Sequence, residues 1–181
     1  MPRFVVLLRG VNVGKGNRVP MAEFKALLEG LGYTNVSTVL NSGNAVFTSS
    51  GRSPAKHAGA IATALQQKLG ISTPVIVKSA AELSAIIGGS PITPADADHS
   101  RYFVSFAAEE EALLALAPLQ VLTQAPERFV VSSLAAFLHC PNGILESKVG
   151  EALLGKAGKR VTTRNWATVL KLSAQAGASA A

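Results

Sequence analysis

The chain of 181 residues is long enough for one full-sized domain or two small ones. With 48% apolar and 15% charged residues, it holds too much core-forming material for general disorder. Seventeen Lys and Arg against 11 Asp and Glu give +6, which admits nucleic acid, an anionic molecule or a membrane surface as partner.

Phe4 to Leu8 is an unbroken apolar run rich in β-formers and predicts a strand buried on both faces. A loop rich in Gly and Asn follows, from Gly10 to Asn17. Pro20 then opens a helix in which Met21, Phe24, Leu27, Leu28 and Leu31 share one face, and Gly32 stops it. Strands near Val36–Leu40 and Ala45–Thr48 flank Asn41-Ser42-Gly43-Asn44, whose composition asks for a turn. A helix from about Pro54 to Leu69 ends at Gly70, and Val75-Ile76-Val77 is the fourth strand. The order β-α-β-β-α-β by residue 78 is the ferredoxin-like pattern.

The second half predicts the same order from pattern alone, with no sequence repeat. A short helix at Ala80–Ile87 and a turn-rich stretch from Gly88 to Ser100 lead into a strand at Tyr102–Phe106. Glu109 to Glu111 opens a helix through Leu116, acids first, as the positive end of a helix prefers. Phe129–Val131 and Ala135–His139 pair around Ser132-Ser133. A helix near Val149–Leu154, a strand at Arg160–Thr162 and a last helix from about Arg164 to Ala174 complete the unit. Trp166, Val169, Leu170 and Ser173 form the inner face of that last helix, and Ala176–Ala181 is a fraying tail. The expected architecture is α+β, with two ferredoxin-like (βαββαβ) subdomains packed into one compact protein. Residues 1–78 form the first, 79–100 a helix and linker, and 101–181 the second.

Cys140 is the single cysteine, so neither an internal disulfide nor a cysteine-based zinc cluster can form. His57, His99 and His139 are scattered, and no metal or cofactor is expected. A reducing compartment fits best. The run Phe4–Leu8 is short for a signal peptide, and no stretch nears the roughly 20 apolar residues that span a bilayer. The expectation is a cytoplasmic protein with no membrane partner.

Leu7-Leu8-Arg9-Gly10-Val11-Asn12-Val13-Gly14, Met21 at the first helix, Ser42-Gly43-Asn44-Ala45-Val46-Phe47 and Thr163-Arg164-Asn165-Trp166-Ala167-Thr168-Val169 stand in a particular order and spacing. In these motifs, spread along essentially the whole chain, the sequence resembles a bacterial family, domain of unknown function 1697. Two departures are visible: Ala167 stands where the family usually has Asn, and Val39-Leu40-Asn41 where it has an aromatic-containing segment. The resemblance implies two ferredoxin-like subdomains and implies no activity.

The glycine-rich segment Arg9 to Gly16 is one residue short of the Walker spacing and lacks the hydroxyl residue after Lys15. It also misses the dinucleotide pattern, because Val19 sits where the third glycine belongs. Two readings of it remain. Its backbone N–H groups converge as an anion nest beside Arg9, Lys15 and Arg18, or its glycines serve only a tight turn. In a ferredoxin-like sheet the first and third strands are antiparallel neighbours, which brings Asn44 near the end of the first strand. Thr163 is the expected N-cap of the last helix, and Trp166 a core residue. Arg164 in the first turn opposes the helix dipole and so calls for a partner: a carboxylate, an anionic ligand or a backbone carbonyl.

No catalytic residue is assigned. Cys140 reads as a packed thiol, Ser42 lacks a nearby base, and Glu109-Glu110-Glu111 reads as a solvated first turn. Three functions stay open. The first is binding of a small anionic, phosphate-containing ligand by Arg9, Asn12, Gly14, Lys15, Ser42, Gly43, Asn44, Arg164 and Asn165. The second is contact with a nucleic-acid backbone through the basic surface. It is disfavoured in its usual base-stacking form, because the first and third strands offer only Phe4 and Phe47. The third is a protein-interaction scaffold. Charge is polarised along the chain: residues 1–78 carry +7, residues 79–155 carry −6 and residues 156–181 carry +5. All three motifs lie in the basic stretches.

Overall fold

Five buried residues in a row, Phe4 to Leu8, demand cover on both sides of the strand that holds them. In the computed structural model, which describes residues 1–177, that strand is β1 (Arg3–Leu8), central in a four-stranded antiparallel sheet. Its partners are β3 (Asn44–Thr48) on one side and β4 (Val75–Ser79) on the other, with β2 (Thr34–Thr38) beyond β3. Phe4, Val6 and Leu8 pack on Phe24, Leu27 and Leu28 of α1 (Met21–Gly30) and on Ile61, Ala64 and Leu65 of α2 (Pro54–Leu69). Val5 and Leu7, on the opposite pleat, are equally buried.

Local chemistry accounts for α2 completely. Ser53 caps it by accepting from the Lys56 N–H, Pro54 fills the first turn, and Gly70 closes it in the left-handed conformation. The second strand departs from its expected span of Val36–Leu40. Asn35 and Leu40 both take positive φ, and the pairing with β3 shifts register between Thr34 and Ser37. The strand therefore starts and ends two residues early.

The second sheet has the order β6-β7-β5-β8, again antiparallel throughout. Its strands are β5 (Tyr102–Ala107), β6 (Arg128–Val131), β7 (Ala136–His139) and β8 (Val161–Asn165). Leu113 of α4 (Glu110–Leu114) and Val149 and Leu153 of α5 (Lys148–Leu154) close the core over Phe129, Leu138 and Cys140. The helix at Glu110 is shorter than the sequence predicts; a 3-10 turn holding Pro118 (Ala117–Leu122) follows it. Proline lacks the N–H that an α-helical continuation needs. Among the described residues the protein is α+β, with two similar halves, each built on one such sheet.

Both halves end in a strand that runs into a helix without a loop. In the first, β4 meets α3 (Ala80–Gly88) through a capping box: the Ser79 N–H donates to Glu82 and the Glu82 N–H to the Ser79 hydroxyl. In the second, β8 meets α6 (Trp166–Ala176), and Asn165 is the cap, its Oδ1 accepting from the Thr168 N–H at 3.0 Å. This corrects the assignment of Thr163 as cap, and with it the start of the helix at Arg164. Ladder pairing holds Arg164 opposite Val104 inside β8, so its charge does not sit in a helical first turn.

The chain divides into two compact units, Met1–Ser84 with the described residues from Lys171 on, and Ala85–Leu170. The boundaries at 78 and 100 follow element order, which says nothing about where α6 ends up. Its last turns belong to the first unit, where Gln175 Oε1 accepts from the Ser37 hydroxyl at 2.7 Å. Leu172 is fully buried and Leu170 is 36% exposed, so the inner face of α6 passes through Leu172 rather than Leu170. The helix runs through Ala176; residues 178–181 of the expected tail lie outside the described residues.

Candidate functional site

The segment after β1 is closed by its own hydrogen bonds. The Asn12 side chain, at positive φ, accepts from the Val19 N–H at 2.9 Å and donates to the Val19 carbonyl at 2.7 Å. Its backbone N–H donates to Asn17, and Val11 bridges Asn17 as well. Gly16 donates to the Val13 carbonyl, and a Cβ there would lie 2.4 Å from the Gly10 oxygen; only glycine fits. Arg18 Nη2 donates to the Gly14 carbonyl at 2.7 Å. The exposed part of the loop is residues 13–18, with Lys15 near its middle.

The same asparagine joins this loop to the turn before β3. Asn12 Nδ2 donates to the Asn41 carbonyl at 2.8 Å, and the Leu8 N–H donates to Gly43 at 2.9 Å. Asn44 pairs with Leu7 across the ladder, at the end of β1 where the antiparallel arrangement puts it. Its buried side chain donates to the Val39 carbonyl and to the Ser42 hydroxyl. Arg9, half buried, donates its N–H to Pro74 and accepts from the Thr73 hydroxyl through its carbonyl. Burial pushes its guanidinium pKa below the ordinary value.

The first unit thus brings Arg9, Asn12, Gly14, Lys15, Ser42, Gly43 and Asn44 into two joined loops. The remaining two candidates belong to the second unit. Arg164 Nη1 donates to the Thr162 hydroxyl at 2.6 Å and to the Thr163 carbonyl at 3.0 Å. A backbone carbonyl is therefore among its partners. Asn165 Oδ1 is engaged by both Thr168 groups. Ala167 contributes its N–H to the His99 carbonyl, and Trp166 is buried against Tyr102 with ring centres 5.2 Å apart.

Sequence reasoning missed the side chain of Asn12 as a clip, for which the only signal is an asparagine among glycines. It also missed the Ser79–Glu82 box, although its spacing is plainly written. Phe4 and Phe47 are buried with Tyr33 and His57 in one aromatic cluster, so neither offers a face to a base. In that cluster His57 Nε2–H donates to the Gly51 carbonyl, leaving Nδ1 to accept from the Tyr33 hydroxyl. Among the described residues no three His, Cys, Asp or Glu gather as a metal site, and no helix is long and apolar enough to cross a membrane.

Burial, with the nearby Glu127 charge second, pushes the Cys140 thiol up to about 11. The folded protein should therefore resist a thiol reagent at pH 8 and react stoichiometrically once unfolded in denaturant; rapid native labelling would contradict the packed-thiol reading. Because the folded pKa lies above the unfolded one near 8.5, this group's contribution to stability is complete below about pH 8.5. It is lost as pH rises toward 11.

These features define an α+β protein of two similar units with a clipped, basic, glycine-rich loop. The chain belongs to the family described as Protein of unknown function (DUF1697), which matches residues 1–137. The segment Thr163–Val169 lies beyond that match. A solved structure, described as that of conserved bacterial protein SP0830 from Streptococcus pneumoniae, resembles the chain with a TM-score of 0.78 and 25% identity. The likeness covers 97% of this chain and 98% of that one. Comparison with curated proteins gives no match.

Proposed function

We propose that the joined loops 9–18 and 41–44 bind a small anion, of which a phosphate group is the best-fitting class. The observation that carries this reading is the Asn12 clip. It spends its hydrogen bonds on holding a loop whose exposed stretch contains Lys15 and Arg18, with Arg9 at its base. A loop ordered beforehand loses less entropy on binding. In this reading Asn12, Gly43 and Asn44 shape the site, and Arg9, Lys15, Arg18 and the Ser42 hydroxyl meet the ligand. The reading takes the first unit's loops as the binding surface, because Arg164 and Asn165 lie in the second unit, with hydrogen bonds inside β8 and α6. Nucleic-acid recognition by base stacking is the weaker reading, since Phe4 and Phe47 are buried.

Each half is read here as ferredoxin-like: the strand orders β2-β3-β1-β4 and β6-β7-β5-β8, with antiparallel neighbours, support it. The single buried cysteine supports a reducing, cytoplasmic setting.

Thermal unfolding with phosphate, pyrophosphate and a nucleotide tests the binding. At about 100 times Kd the gain is roughly 2.7 kcal/mol, or about 5–10 °C in Tm for a chain of this size. Arg9→Ala should remove most of the shift. Absence of a shift in the unaltered protein across all three ligands would end the proposal.

A further inference from the structure

Leu40 is an anomaly in the turn that supports the anion loop. It sits at φ +59, a region open to glycine and tolerated by asparagine but disfavoured for leucine, while Asn41 stands one position away. Its side chain is 51% exposed, so core packing does not account for the choice. The backbone is pinned on both sides of it. Val39 donates to the Asn44 carbonyl and accepts from the Asn44 side chain, and Asn41 accepts from Asn12. The other end of that last bond leads to Val13, which is 53% exposed. Apart from Met1, Val13 and Leu40 are the exposed large apolar residues of the first unit's described part. They flank the two residues joined by a single hydrogen bond, and Val13 shares its loop with Lys15 and Arg18. A disfavoured backbone conformation spent on exposing an apolar side chain marks a functional position.

We infer that the ligand of these loops is a phosphate monoester whose ester group is apolar or aromatic, the phosphate meeting the cations and the ester group covering Leu40 and Val13. This rests on the anion reading above. It adds a selectivity that inorganic phosphate alone would not reveal. The ligand is a soluble molecule, although a lipid phosphomonoester headgroup shares its chemistry.

The test compares inorganic phosphate with phenyl phosphate by calorimetry, using the unaltered protein, Leu40→Asn and Val13→Ser. Phenyl phosphate should bind about fivefold or more tightly than phosphate, in line with burial of part of a leucine side chain. In Leu40→Asn that preference should fall to near unity with phosphate affinity within about twofold, while Tm rises because asparagine tolerates the conformation. Val13→Ser should lower the preference without the rise in Tm. Equal binding of the two ligands by the unaltered protein overturns this inference and leaves the anion reading intact. So does a preference that survives both substitutions. Failure of both ligands to bind overturns this inference, and the anion reading too when pyrophosphate and the nucleotide give no shift. Co-sedimentation with phosphatidylcholine vesicles containing phosphatidic acid, without binding of phenyl phosphate, overturns the soluble assignment.

Discussion

Replacing Gly43 by alanine should lower the stability of the protein by about 3 kcal/mol, the sum of two separate costs. The residue sits at φ +78, where an L side chain costs roughly 1–2 kcal/mol. An added Cβ would also lie 2.5 Å from Val11 Cγ2 and 2.8 Å from Leu8 Cβ, inside any real contact distance. Both neighbours are buried and cannot swing away, so overpacking adds roughly 1–3 kcal/mol. Gly70→Ala separates the terms. It has φ +65 with nothing within 4 Å of the new Cβ, and should show the backbone cost alone. Denaturant midpoints for the pair decide the matter: equal losses would mean that the close approach of the turn to β1 is not felt.

Removal of the Asn12 side chain should be of similar size. Asn12→Ala loses three hydrogen bonds, at about 1 kcal/mol each, and leaves alanine at φ +57. The expected fall is about 3–4 kcal/mol, or roughly 6–15 °C in Tm. Asn12→Gly loses the same bonds but adopts the backbone freely, so it should be the milder by about 1 kcal/mol. If glycine proves no milder than alanine, the conformational part of the argument is wrong. Neither variant should show a phosphate-dependent rise in Tm, because the loop that presents Lys15 and Arg18 is no longer held. A full phosphate response in the glycine variant would show that the clip does not prepare the site.

Elements punctuated by local chemistry are the ones that can be read from the chain. The second helix is legible to the residue because Ser53, Pro54 and Gly70 act on their own neighbours. The second strand is misplaced by two residues because the bulge at Asn35 and the turn at Leu40 answer to the pairing with β3. The last helix is misplaced for the same kind of reason. Arg164 and Asn165 have ordinary propensities, and it is pairing with Phe103 and Val104 that keeps them in a strand. At the site, the antiparallel rule is enough to put Asn44 at the end of β1. It cannot tell that Asn12, and not a charged residue, ties the two loops.

The net +6, with +7 in residues 1–78, directs attention to the loops after β1 and before β3, since charge and glycine content are properties of the chain itself. Composition and element order likewise determine two α+β halves, because apolar periodicity decides which segments can share a core. Only the tertiary structure decides what each polar residue does there. A side-chain amide bonds to whatever backbone lies within about 3 Å. That neighbour is Val19 and Asn41 for Asn12, and Val39 for Asn44. For Asn41, 29 residues from Asn12, it comes from chain closure that no local signal encodes, and so does the left-handed, exposed Leu40 beside it.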